Sequence, residues 1–207
     1  MNTNEKTNAE TEDQTTVSAG ETAAEKNTPA AKKGTGYSFT VDEAKWKLMK
    51  ENVGSSSADG GDNIFTYHNE YEFQYIGDSS ANGSKCIFSV LVIDINEDVL
   101  NQSAQGTDED IDTAMTEGIF DIGRAIASST VDFQSGDVML EDGETTFCGR
   151  KAYKFKYTTK ADKVTMTVSN FMAYNNRKLL LFTTYGFTGN DNYTAETDAV
   201  RDSFKFE

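Results

Sequence analysis

From Tyr37 onward, apolar and polar residues alternate in short runs, and each run predicts an element. Tyr37-Ser-Phe-Thr-Val41 alternates and reads as a strand. Lys45-Trp-Lys-Leu48 alternates again, while Val41, Ala44, Leu48 and Val53 also suit a helix over 42–52; both readings stand. Residues 64–67 and 71–76 read as two strands joined at His68-Asn69-Glu70, between loops at 54–62 and 77–84. The run 85–95 differs. Ile87, Leu91, Ile93 and Ile95 point one way, and Phe88, Val90 and Val92 the other, so this strand is expected to be covered on both faces. Leu179-Leu-Leu-Phe182 has the same property. Two such strands argue for a central sheet with a layer above and a layer below.

In 149–159, Tyr153, Phe155 and Tyr157 alternate with Lys154 and Lys156, giving one buried face and one wet one. Lysine on an exposed strand discourages edge-to-edge pairing. Val164, Met166 and Val168 alternate in the next strand, and Asn175-Asn176 reads as a tight turn leading into Leu179. Thr107-x-x-Asp110 predicts a helix start of the capping-box type, with Asp108, Glu109, Asp110 and Asp112 crowding the positive end of the dipole. Ile111, Met115, Ile119, Ile122 and Ile126 follow at helical spacing. Gly118 and Gly123 weaken that helix, so packing must hold it. A second helix is expected after Asn190-Asp191-Asn192, ending near Asp202, and 203–206 closes the chain as an extended segment.

The first 36 residues have another texture. Between Asn2 and Gly36 the only apolar residue larger than alanine is Val17, and the chain's single proline is Pro29. Such a segment cannot bury enough apolar surface to offset the entropy of ordering its backbone. Residues 1–36 are therefore expected to be a disordered tether, and 37–207 one globular domain. As a flexible coil, 36 residues span roughly 30–35 Å. A Thr/Asn/Glu/Ala-rich tract before a compact domain matches the stretch behind the lipidated cysteine of many bacterial surface lipoproteins. Two explanations of the start stand side by side: a native Met1, or a mature form whose export signal and lipidated cysteine were removed. The second is the expectation taken, with membrane association only through a lipid anchor absent from this chain.

The chain carries 34 acidic and 19 basic residues, a net charge of −15. The leader takes six of the acids and four of the bases, leaving 28 against 15 in the remainder. A surface this acidic repels phosphate backbones and anionic membranes, so nucleic acid is excluded as a partner. It also favours a soluble monomer. No run approaches 18 apolar residues, so no membrane span is expected. Cys86 and Cys148 are either a disulfide or two buried thiols. The absence of Cys-x-x-Cys gives no support to a redox or zinc motif.

The final hairpin, Phe171-Met-Ala-Tyr-Asn-Asn-Arg-Lys-Leu-Leu-Leu-Phe-Thr-Thr-Tyr185, succeeded by a loop, a helix and Asp202-Ser-Phe-Lys-Phe206, resembles the ending of PsbP/Mog1/DcrB-like domains. The opening Tyr-Ser-Phe-x-Val before Trp46 is similar to that family's start, although Asp42-Glu43-Ala44 stand where a proline often precedes the tryptophan. The resemblance covers both ends of the domain, and its middle by element order alone. It implies an α+β fold: a three-layer α/β/α sandwich around a mainly antiparallel sheet. It brings no catalytic residues. The family's roles are accessory and binding functions, many of them in bacterial lipoproteins of unassigned role.

Candidate chemistry is sparse. The single histidine, His68, would have to serve any Ser-His-Asp or Cys-His arrangement, and its place between strands reads as an exposed turn. Asp94–Asp98 resembles the start of a calcium loop, but Val99 and Gln105 stand where Gly and Glu are required. The run 108–112 fails likewise at Thr113 and Ile119. Asp59-Gly-Gly-Asp62-Asn63 and 190–192 read as turn chemistry. No phosphate loop or dinucleotide fingerprint occurs. Trp46 is expected in the core. No catalytic, cofactor-binding or metal residue is assigned, and no cofactor is expected. The expectation is a tethered, extracytoplasmic, non-catalytic binding or accessory domain at the bacterial cell surface, with a protein or cell-envelope ligand. The alternative is a carboxylate-based hydrolase acting on cell-envelope or extracellular glycans, because sugar hydrolysis needs only a pair of acids.

Overall fold

The computed structural model describes residues 29–55, 60–61, 64–77, 86–98, 100, 106–161, 164–187 and 193–207. Its elements run β1 (Ala30–Gly34), β2 (Tyr37–Val41), β3 (Trp46–Glu51), β4 (Gly60–Gly61), β5 (Phe65–Tyr75), β6 (Ile87–Ile95), α1 (Asp108–Glu117) and α2 (Ile119–Thr130). They continue with β7 (Val138–Phe147), β8 (Arg150–Ala161), β9 (Val164–Asn175), β10 (Lys178–Phe187), α3 (Thr194–Asp202) and β11 (Lys205–Phe206). The large sheet has the order β3-β5-β6-β10-β9-β8-β7, with β4 also paired to β5; a small sheet has the order β1-β2-β11. Every described strand pairing is antiparallel.

The two doubly apolar strands, β6 and β10, lie side by side at the centre. On one face Phe88, Val90, Val92, Leu180 and Phe182 meet Tyr37, Phe39 and Val41 of β2, Val200 of α3, and Phe204. On the other, Ile93, Ile95, Leu179 and Leu181 meet Ile111 and Met115 of α1 and Ile119 and Ile126 of α2. The architecture is α+β in three layers, and one outer layer is a pair of helices. The other is made jointly by the small sheet and α3, so the expected all-helical outer layer is in part a sheet. Trp46 is core, 2% exposed, with Phe88 and Tyr75 at ring-centroid distances of 4.8 and 5.1 Å.

Several expectations are corrected. The folded part begins before Tyr37: β1 pairs with β2 from Ala30↔Val41 to Gly34↔Tyr37, so residues 30–36 are not tether. This strand is held by its backbone ladder, by the Tyr71 hydroxyl donating to the Lys33 carbonyl at 2.7 Å, and by a latch at Thr35, not by apolar bulk. Glu70, 3% exposed, accepts the Thr35 N–H at 2.9 Å and the Thr35 hydroxyl. Gly34 is required there, because a Cβ would fall 2.0 Å from the Tyr37 ring. Residues 1–28 lie outside the described residues. His68-Asn69-Glu70 is not a turn. β5 is continuous, and a bulge between Asn69 and Tyr71 takes up Glu70 as an extra residue. Residues 46–51 are strand, which settles the ambiguity against a helix over 42–52. The single helix expected from 107 breaks at Gly118 into α1 and α2, and the capping box at Thr107–Asp110 forms as expected. β8 is not an edge; β7, which the sequence pattern did not reveal, covers it. The turn after Asn175 is made by Asn176 and Arg177, with φ of 47° and 64°, as a two-residue hairpin demands.

Candidate functional site

The layer of small sheet and α3 covers only part of the large sheet. Beside α3, the same face of β8 and β9 and the end of β10 stays open. A cleft of about 210 Å³ lies there. Strand alternation sets its walls. Tyr153, Phe155 and Tyr157 face the helices α1 and α2, so Lys154 and Lys156 face the cleft. Lys156 pairs across the ladder with Ser169, and Ser169 with Thr184, placing an ammonium and two hydroxyls in one row. The next row is Lys154, Phe171 and Phe182. The opposite wall is α3, with Thr194, Thr197, Asp198 and Arg201; Phe187 and Tyr193 also line the space.

Opposite charges share the cleft. Lys154 pairs with Glu141. Arg201 holds Asp198 at 2.6 Å and Asp202 at 2.8 Å, and its guanidinium lies 4.7 Å from the centre of the Phe171 ring. Lys156, half-buried and across the ladder from Glu141, has no ion pair among the described residues. With Asp202 counted, three cations face three carboxylates, and Lys156 is the cation without an ion pair of its own, inside a chain of net charge −15.

A second cavity of about 230 Å³ lies under the Thr35-Gly36 turn, lined by Val92, Leu180 and Phe206 and by Asn175, Asn176 and Lys178. At its edge, Lys178 pairs with Asp94, whose second oxygen lies 3.1 Å from His68 Nε2. The lone histidine thus sits mid-strand beside the Asp94–Lys178 ion pair, not in a water-exposed turn.

The acids considered for calcium are engaged separately. Asp94 meets Lys178 and His68, Asp108 meets Arg177, and Asp112 accepts the Tyr174 hydroxyl at 2.7 Å. The Thr107 N–H and hydroxyl hydrogen-bond Asp110 and lower its pKa. Among the described residues no three His, Cys, Asp or Glu side chains converge. Asp59, Asp62, Asn63 and residues 190–192 lie outside the described residues. Cys86 and Cys148 are free thiols, each pushed up to about 12 by burial, which keeps them protonated and weakly nucleophilic at neutral pH. No described helix is long and apolar enough to cross a membrane.

Sequence reasoning found the wet lysine face of β8 but not the wall that turns it into a cleft. Arg201, Asp198 and Thr184 come from elements distant in sequence, and the Lys-x-Lys alternation at 154–156 was the one available signal.

No family model matches the chain, and no curated protein matches it. Solved structures similar to it do exist. Cyanobacterial PsbP (CyanoP) from Synechocystis sp. PCC 6803 is 17% identical at a TM-score of 0.49, over 92% of this chain and 98% of that one. LpqN, involved in cell envelope biogenesis of Mycobacterium tuberculosis, is 9% identical at 0.43, over 88% and 86%. A protein of unknown function from Pseudomonas aeruginosa is 8% identical at 0.41, over 77% and 95%. These likenesses concern the arrangement of elements, not residues of the cleft.

Proposed function

We propose that this protein is a non-catalytic binding domain, carried outside the cytoplasm on its N-terminal leader, that holds its ligand in the cleft between β8–β9 and α3. The observation that carries this reading is the uncovered half-face beside α3. A sheet face buried elsewhere by aromatic packing is here lined with lysines and hydroxyls above an aromatic floor. A concave site with an apolar base and a few converging polar groups is the usual form of a small-ligand pocket. Its two carboxylates, Glu141 and Asp198, each rest on a cation, which suits neutralised walls better than a general acid facing a nucleophile. The composition of residues 1–28 supports the tethered, extracytoplasmic placement.

The test is titration of the ¹⁵N-labelled full chain with muropeptides. Shifts are expected at the amides of Lys154, Lys156, Ser169 and Arg201. Shifts confined to another surface, or none at all, would remove the cleft as the binding site. Release of sugar from a glycan, lost in Glu141→Gln, would replace the reading with hydrolysis. Fractionation of producing cells tests placement: an envelope fraction is expected, and a cytosolic pool refutes it.

A further inference from the structure

We infer that the cleft selects an amphiphile with a single anionic head, a carboxylate or phosphate group joined to a short apolar body; this rests on the reading of the cleft as the binding site. Three observations converge. The first is charge. Glu141 is held by Lys154 and Asp198 by Arg201, leaving Lys156 half-buried without a counterion among the described residues. A partly desolvated ammonium gains from an anion that completes the pair. The second is the donor row. Lys156, Ser169 and Thr184 stand abreast on three neighbouring strands. Thr184 is only 8% exposed, lines the cleft, and has no side-chain hydrogen bond to another described residue. Its hydroxyl therefore reaches the cleft with its hydrogen-bonding capacity free for a ligand oxygen. One ammonium and two hydroxyls side by side match the oxygens of a single anionic head.

The third is the adjacent row. Phe171 lies two residues further along β9, and therefore about 7 Å from the donors; it is half-buried, whereas its neighbour Phe182 is 1% exposed and belongs to the core. Arg201 flattened on Phe171 keeps that row sheathed, so the apolar surface left for a ligand is compact. Head and body are thus separated by roughly the length of a three-carbon spacer. The acidic exterior adds selectivity, since a polyanion meets repulsion from the whole chain while a single anionic head is drawn to the unpaired Lys156.

The experiment compares 4-phenylbutyrate, its neutral amide 4-phenylbutyramide, 2-phenylethyl phosphate and inorganic phosphate, each titrated into the ¹⁵N-labelled full chain and into Lys156→Gln and Thr184→Val. At least one of the two amphiphilic anions is expected to shift Lys156, Ser169 and Thr184 and to bind about tenfold more tightly than the amide, with that advantage lost in Lys156→Gln. Whichever anion is tighter identifies carboxylate or phosphate as the natural head. Equal binding of acid and amide within the cleft overturns the anion while leaving the cleft as a site. Inorganic phosphate binding as well as phenylethyl phosphate overturns the apolar body. Absence of cleft shifts with every probe overturns this inference and the binding-site reading together. Thr184→Val weakening the anions but not the amide supports the hydroxyl's place; equal effects on both refute it.

Discussion

Gly123→Ala separates two forces acting on α2. Helix propensity favours alanine by about 1 kcal/mol at an interior position. Packing opposes it. Where α2 crosses β8, a Cβ on Gly123 would lie 2.2 Å from Tyr153 Cδ1, 2.4 Å from its Cγ and 2.7 Å from its Cβ, where ordinary contact begins at 3.4 Å. The Tyr153 Cβ is fixed to the strand, so the side chain cannot swing clear. The ring is also pinned, with its hydroxyl 2.9 Å from Asp142 and the Phe120 ring edge-on at 5.3 Å. The helix itself must therefore back away, loosening Ile119, Ile126 and Ala127 against the sheet. Overpacking of this kind costs roughly 1–3 kcal/mol or more. Three contacts at 2.7 Å or less put this site at the upper end of that range, about 2–3 kcal/mol, so after the gain in propensity a net loss of about 1–2 kcal/mol is expected, a fall of roughly 2–8 °C in Tm for a domain of this size. The control is Gly118→Ala. Its nearest foreign atom is the Ala114 carbonyl at 3.1 Å, and its φ of −78° suits any residue. That variant should stay within about 0.5 kcal/mol of the parent. Urea unfolding monitored by intrinsic fluorescence measures both. A midpoint for Gly123→Ala equal to or above the parent's would refute the close approach of α2 to β8.

Other contacts carry three more expectations. Glu70→Ala removes the acceptor of both the Thr35 N–H and the Thr35 hydroxyl, so β1 should open locally at a cost of about 1–3 kcal/mol; hydrogen exchange at 30–34 should quicken at least tenfold, and unchanged protection would disprove the latch. Both thiols, pushed up to about 12 by burial, should react slowly with a disulfide reagent at pH 8 and fully in guanidinium; fast native labelling of Cys148 would contradict its burial. The Asp110 carboxyl is held below its ordinary value by the Thr107 backbone N–H and hydroxyl. A depressed folded-state pKa contributes stability above the unfolded value near 3.8 and loses it as pH falls through the folded one. Thr107→Ala should therefore lower the urea midpoint more at pH 6 than at pH 2.5, and an equal drop at both would show that the cap does not act through the charge.

The elements legible in advance were those whose side chains carried both period and partner. Residues 87–95 and 179–182 announced two covered faces because apolar residues occupied both parities, and burial on both sides resulted. Thr107 and Asp110 marked a helix start by local hydrogen bonding alone, which needs no tertiary information. β1 escaped because Ala-Ala-Lys-Lys-Gly has no apolar signal; its ladder to β2 and its Glu70 latch are long-range facts. The bulge at Glu70 made one strand look like two, since a residue inserted into the ladder breaks the period of two. β7 hid behind Glu-Asp-Gly-Glu, a turn-like string that forms a strand because β8 pairs with it along its length. The cleft lay half visible, in the lysines of β8, because its other wall comes from a helix forty-odd residues away whose position depends on the finished core.

The sheet order makes β10 a keystone. The chain lays down one half of the sheet, β3-β5-β6, then the far half, β7-β8-β9, and only afterwards slides β10 into the gap between them. Phe88 waits for Thr184, and Val90 for Phe182, partners more than ninety residues downstream. Until residues 178–187 leave the ribosome, β6 and β9 each present a bare hydrogen-bonding edge beside apolar surface, the condition in which nascent chains stick to one another. A nonsense codon just before Lys178, after β9 is complete, would thus yield two unjoined half-sheets and a client for chaperones, not a shortened version of the native protein.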